Sequence, residues 1–267
     1  MSLPGAGAHV FAQEGGSVFR TSAGGGARTL ALGPGQGWNR WAVDPEGRTF
    51  AFSIPTPSPT GGVWIDNGVN RQLVASFPAT NIPQVEQLQV TANGLYVLVG
   101  NAVSRYSLPG NAQTVVFLPQ APSHFSLTSG GRWYAYSHQV TDSNGPVMAS
   151  FMRDNDTAQV YRLSAENVES DGTAFSDTHA YWLEARTGGS FEIMRRATNS
   201  LVSEVAVPAS VVGAAVPRSL DVTKDGSRLG WISVNGGVRE AFVWSGGSAA
   251  SIGQVATSTT RVEITSR

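Results

Sequence analysis

Cysteine is absent from the 267 residues, which excludes disulfides and thiolate metal sites. That absence fits a periplasmic or extracellular location and leaves the cytoplasm open. Charge is also scarce: charged side chains make up 14% of the chain, against roughly 25% in ordinary globular proteins. Lysine occurs once, at Lys224, beside seventeen arginines, a bias that fits a GC-rich genome better than a function. The net charge is −1 and the only basic pair is Arg195-Arg196. A stripe able to neutralise nucleic-acid phosphates is therefore missing. No run of eighteen apolar residues exists, so no helix is expected to span a membrane. The opening "MSLPGAGAHVF" has no basic stretch followed by an apolar core and does not read as a signal peptide. Met1-Ser2-Leu3 could be what replaces a removed one. Helical periodicity is missing too: no dozen residues keep an i, i+3, i+4 apolar spacing free of Gly or Pro.

What the chain does have is repetition. "VDPEGRTFAFSI" begins at Val43, "VTANGLYVLVGN" at Val90, "LTSGGRWYAYSH" at Leu127 and "TKDGSRLGWISV" at Thr223. Each is a short apolar strand, a glycine turn and a second strand with alternating apolar residues. The turn glycines Gly47, Gly94, Gly131 and Gly226 are spaced by 47, 37 and 95 residues, the last gap being two periods. A degenerate copy, "TAFSDTHAYWLE" (173–184), fills that gap. Five copies about 45 residues apart match four-stranded propeller blades. Further strands follow each copy, as in "GGVWIDNG" and "RQLVASF", joined by an Asn67-Gly68 turn.

The ends supply a sixth blade. "RVEITSR" (261–267) resembles the first strand of the last copy, and "AHVFAQEGGSVFRTSAGGGARTLALG" (8–33) reads as second, third and fourth strands lacking a first. The expected architecture is one all-β domain over 1–267, a six-bladed β-propeller of four-stranded antiparallel blades. Its blades fall at 261–267 with 1–33, then 38–77, 85–119, 122–163, 171–207 and 217–256. The strand around Val262–Thr265 should pair with His9–Ala12 and close the ring. In the third copy, the long connection is expected to make Asp142–Pro146 a mobile hairpin tip.

"VDPEGRTFAFS" (43–53) and, less closely, "TKDGSRLGWIS" (223–233) resemble the repeat of TolB-type propellers, S-P-D-G followed by alternating apolar residues. The resemblance covers nearly the whole chain, although the second, third and fourth copies lack the Pro-Asp pair and TolB's separate N-terminal domain has no counterpart. It implies a periplasmic or secreted binding role with a protein or peptide partner, since such propellers serve as scaffolds, sensors and peptidase gates.

Catalytic motifs are missing. There is no G-x-S-x-G elbow, P-loop, Rossmann glycine pattern or H-E-x-x-H. His9, His124, His138 and His179 are scattered over three blades, so no metal site is expected, and no cofactor. "DSNG" (142–145) and "RDNDT" (153–157) read as turns rather than calcium loops.

Candidate site residues come from aligning the innermost strands. Val43, Val90, Leu127, Phe175, Val222 and Ile264 share one face, with Trp41, Leu88, Phe125, Thr173, Leu220 and Val262 two residues earlier; these should pack between blades. The other face then lines the channel. Arg40, Gln87, His124 and Arg261 should ring one mouth, with Asp221 and Glu263 one layer deeper. Two readings follow: an arginine rim that recognises a carboxylate, or an internal network pairing Arg261 with Asp221 and Arg40 with Glu263. Trp133, Trp182 and Trp231 fit the core, whereas Trp38, in the glycine-rich "GPGQGWNR", is a candidate ligand contact. The expected function is a monomeric, non-catalytic binding or scaffold propeller recognising a peptide or protein at its channel face. The alternative is a hydrolase or lyase acting on a carbohydrate or small polar substrate, with Asp221 or Glu263 as acid or base.

Overall fold

The computed structural model describes residues 8–14, 16–24, 26–33, 38–55, 61–76, 85–108, 113–213, 216–255 and 261–265. Six four-stranded antiparallel sheets form the blades. Blade 1 takes β1 (His9–Glu14), β2 (Ser17–Ser22) and β3 (Thr29–Leu32). Blade 2 holds β4 (Arg40–Val43), β5 (Phe50–Ile54), β6 (Gly62–Asp66) and β7 (Arg71–Ser76). Blade 3 holds β8 (Gln87–Thr91), β9 (Gly94–Val99), β10 (Ala102–Tyr106) and β11 (Gln113–Phe117). Blade 4 holds β12 (His124–Leu127), β13 (Trp133–Asp142), β14 (Gly145–Asp154) and β15 (Val160–Arg162). Blade 5 holds β16 (Ser170–Phe175), β17 (His179–Ala185), β18 (Phe191–Ala197) and β19 (Ser203–Val207). Blade 6 holds β20 (Val216–Val222), β21 (Arg228–Asn235), β22 (Val238–Ser245) and β23 (Ser248–Val255). The last strand, β24 (Val262–Ile264), returns to blade 1 and pairs with β1, placing Val10 opposite Ile264 and Ala12 opposite Val262. Ring closure by both ends is thus observed between the expected segments.

The repeat's alternation builds the core. One face of each innermost strand packs against the neighbouring blade, and among the described residues the core divides into six clusters of that kind. Trp41, Val43, Phe50 and Phe52 of blade 2 meet Phe11, Val18 and Leu32 of blade 1. Leu220, Val222 and Trp231 of blade 6 meet Tyr181, Leu183 and Ile193 of blade 5. Each fully buried side chain of this size contributes about 1.5–3 kcal/mol of hydrophobic stabilisation. The turn glycine is needed where the first strand bends into the second: Gly131 has φ +70°, and a Cβ there would overlap the Tyr96 hydroxyl of blade 3.

Blade 4 departs from its siblings through a long hairpin, with ten residues in each of β13 and β14. Its tip is the exposed hairpin turn expected at Asp142–Pro146, with Asp142 opposite Gly145 and with Ser143, Asn144 and Pro146 exposed, and the base of that turn is tied down. Asp142 receives two hydrogen bonds from Arg162, at 2.7 and 2.6 Å, and one from the Asn167 amide at 2.8 Å. Its side chain is only 7% exposed. Asp154, in the other acidic turn, is held the same way by Arg132. These acidic turns are therefore clamped by guanidinium groups.

Candidate functional site

The six innermost strands run from one mouth of a central channel to the other. Contacts between neighbours connect like ends. At the first mouth Gln87 Nε2 donates to the Ser123 carbonyl and His124 Nδ1 to Asp171. At the second mouth Asn93 donates to the Gly130 carbonyl, Ser129 to Asp177, and the Asp177 amide to the Lys224 carbonyl. The channel holds a cavity of about 370 Å³, and Arg40, Gln87, His124, Asp221, Arg261 and Glu263 all line it. The alternation thus brings together six of the seven residues singled out from the sequence.

The seventh, Trp38, is elsewhere. It is 8% exposed, packs in the cluster between blades 1 and 2, and donates its indole N–H to the Gly33 carbonyl at 3.0 Å. The tryptophan is therefore part of the core between blades 1 and 2 and not a contact at the channel.

The channel wall has a bonding rule of its own. A side chain on one innermost strand accepts the backbone N–H of the next blade. Asp221 Oδ2 takes the Ile264 amide at 2.7 Å, Glu263 Oε2 takes the Val43 amide at 2.7 Å, and Gln89 Oε1 takes the Leu127 amide at 3.0 Å. At the corresponding position blades 2, 4 and 5 carry Ala42, Ser126 and Ala174, which make no such bond among the described residues. Ser126 Oγ and nearby Thr173 Oγ1 line the cavity and are buried without a partner.

Neither expected arginine pairing occurs. Arg261 pairs with Glu263 at 2.6 Å rather than with Asp221, donates to the Leu88 carbonyl and lies 5.6 Å from the Trp41 ring. Arg40 spends Nε on the Glu86 carbonyl at 2.7 Å and Nη1 on the Asn39 carbonyl at 2.9 Å. No described carboxylate lies within ion-pair distance of it. Burial raises both deep carboxyl groups. Asp221 is pushed up to about 6, with the Ile264 amide and Arg261 opposing. Glu263 is pushed up to about 8, where Arg261 opposes and the Asp221 charge adds to the rise.

Asp171 was not visible from the sequence. A bulge between Asp171 and Thr173 shifts the register of β16, which strict alternation does not anticipate. Asp171 accepts from His124 at 2.7 Å and from Ser123 Oγ at 2.9 Å. Burial raises its pKa, but these bonds more than offset that and leave it below the ordinary value. A similar bulge gives Ser219 a φ of +54°. Its Oγ accepts the Val262 amide at 2.9 Å, another tie to β24.

Nothing among the described residues supports the alternative of a hydrolase or lyase acting on a carbohydrate or small polar substrate. Asp221 and Glu263 each spend an oxygen on a neighbouring blade's backbone, and nothing supports a glycosidase pair. Among the described residues no group of three or more His, Asp or Glu is placed to hold a metal ion.

No protein-family model and no curated protein matches the sequence significantly. Solved structures do. TolB from Acinetobacter baumannii superposes with a TM-score of 0.69 at 11% identity, over 98% of this chain and 68% of that one. The fold is that of TolB. A chain in the crystal structure of a nidogen–laminin complex follows at 0.65 and 11% identity, over 97% of this chain and 98% of that one. The β-propeller domain of the Trilobed protease from Pyrococcus furiosus gives 0.60 at 8% identity, over 92% of this chain and 81% of that one. That domain is described as having an open velcro topology. The TolB-like ring here is instead closed by the β24–β1 pairing.

Proposed function

We propose that this chain is a non-catalytic binding module, acting as a monomer in the periplasm or outside the cell. It would hold a carboxylate-bearing peptide or protein segment at the Arg40 mouth of the channel. The observation that carries this reading is Arg40 itself. Its guanidinium is fixed by two backbone carbonyls and meets no described carboxylate. A positioned arginine with an open donor is the usual reader of a carboxylate. The nidogen–laminin neighbour shows the same fold in a complex. Synthetic peptides bearing Asp, Glu or a free C-terminus, compared with their amide counterparts, test the reading by fluorescence anisotropy. Arg40→Ala should weaken acidic-peptide binding about 10- to 100-fold, the scale of a charged hydrogen bond, while the melting temperature stays put. Equal binding by wild type and variant would refute it.

A further inference from the structure

Beside the Arg40 mouth lies a second depression of about 490 Å³, sharing Arg40, Glu86 and Gln87 with the channel and running out to Pro122, His138 and Gln139. Its far wall is the extended hairpin of blade 4. There β13 outruns its inner neighbour. β12 pairs with β13 only up to His124 opposite Ser137, whereas β13 continues to Asp142 against β14. Residues 138–142 therefore have a strand partner on one side only.

Which backbone groups this leaves unmet follows from the register. The Thr128 amide bonds to the Trp133 carbonyl and the Ser123 amide to the Ser137 carbonyl. Odd-numbered residues of β13 thus face β12, and even-numbered ones face β14. Continuing the alternation, Gln139 and Thr141 present N–H and C=O groups to the groove with no strand to receive them. Both residues are exposed. The connection on the other side cannot supply a complete partner, because Pro122 has no N–H. Natural sheets seldom leave such an edge bare without a charge, a proline or a cover on it.

Beneath the edge, His138 stacks on Phe151 with centroids 4.6 Å apart and 10° between planes, and its Nδ1 is buried without a partner. Burial lowers its pKa, so the ring is neutral at neutral pH and this end of the groove adds no charge. At the other end Arg40 supplies the cation. Glu86, the one acidic residue lining the groove, offers Arg40 its carbonyl and not its carboxylate.

We infer that the groove takes an extended peptide segment of a partner protein as an added strand on β13, paired at Gln139 and Thr141, with an acidic side chain or C-terminal carboxylate at Arg40. Main-chain bonds of this kind give affinity with little sequence demand, and the carboxylate sets register. This rests on the mouth reading above and specifies how the segment is held.

The test uses a displayed library of random octapeptides, panned in parallel on the full wild-type chain, on Arg40→Ala and on the double variant Gln139→Pro with Thr141→Pro. The prolines remove only the outward N–H groups. Peptides should be enriched on wild type at least tenfold over both variants and should carry an acidic group at a fixed distance from an alternating stretch. On the wild-type chain, hydrogen exchange at the 139 and 141 amides should slow on adding the enriched peptides, a readout that does not depend on the prolines folding well. Enrichment that is lost with Arg40→Ala but kept by the proline variant, with no slowing at 139 and 141, overturns strand addition and leaves the mouth reading standing. Failure of wild type to enrich anything over Arg40→Ala overturns both.

Discussion

Glu263 and Asp221 show what an inner-wall carboxylate does in a ring of this kind. Each ties its blade to the next, at the cost of sitting where charge is poorly solvated. A carboxyl group whose pKa is raised on folding binds its proton more tightly in the native state. Stability is then full below the ordinary carboxylate range and falls as pH climbs through the folded values. With those values near 6 and 8, the melting temperature should fall between about pH 5 and pH 8. Glu263→Gln keeps an oxygen for the Val43 amide and removes the larger titration. Its melting curve should flatten over that range and exceed wild type at pH 8, as differential scanning fluorimetry would show. At this scale the sequence was legible where alternation holds, as for Arg40, Gln87 and Asp221. It was not where a bulge intervenes, as at Asp171. The arginine partners were also missed: Arg261 pairs with Glu263 two residues along its own segment, and Arg40 bonds to backbone carbonyls, which a search for opposite charges on neighbouring blades does not consider.

At the scale of elements, glycine turns and clamped tips carry the argument. Gly131→Ala combines a left-handed φ with a clash against Tyr96 and should destabilise the protein by about 1–3 kcal/mol. A melting temperature unchanged from wild type would contradict that assignment. The blade 4 tip gives an independent check. Arg162 holds the Asp142 pKa down at about 2, so the clamp should persist to about pH 3. Arg162→Ala should expose residues 142–146 to proteolysis many times faster than wild type at neutral pH, measured by timed digestion and mass spectrometry. From sequence, Asp142, Asn144 and Gly145 read as a loose turn because turn residues and clamped residues are the same types. The clamp lies twenty residues away in Arg162, a distance that pattern reading does not span.

For the whole molecule, the ends matter most. β24 contributes Val262 and Ile264 to the cluster between blades 6 and 1, and it is held by the Ser219, Asp221 and β1 bonds. Deleting residues 260–267 should therefore lower the melting temperature by about 10 °C or more, or prevent folding, because one innermost strand and the Ser219, Asp221 and Glu263 ties go together. Retention of the parent melting temperature would show that closure carries little stability. Architecture was readable at this scale because each copy repeats the same period-2 pattern, and because the two ends supply complementary pieces of it.

The uneven distribution of the channel-wall bonds has a mechanical consequence. A hoop gives first at its weakest joints. Joints 6–1, 1–2 and 3–4 are tied in the channel wall by Asp221, Glu263 and Gln89, whereas joints 2–3, 4–5 and 5–6 have Ala42, Ser126 and Ala174 at that position and are bonded toward the mouths instead, by Arg40 to Glu86, His124 to Asp171 and Asp177 to Lys224. The ties at joints 6–1 and 1–2 therefore flank blade 1, the one blade whose innermost strand is joined to its neighbour by hydrogen bonds and not by a turn of chain, and the adjacent untied joints 4–5 and 5–6 are left as the compliant stretch. Equivalent amides should report it: Val43, Leu127 and Ile264 should exchange their hydrogens slowly, and Val90 and Phe175 faster, despite occupying the same place in their blades. The groove beside Arg40 meets blade 4 next to a tied joint, so a segment docking there would meet a rigid wall and lose little entropy in shaping it.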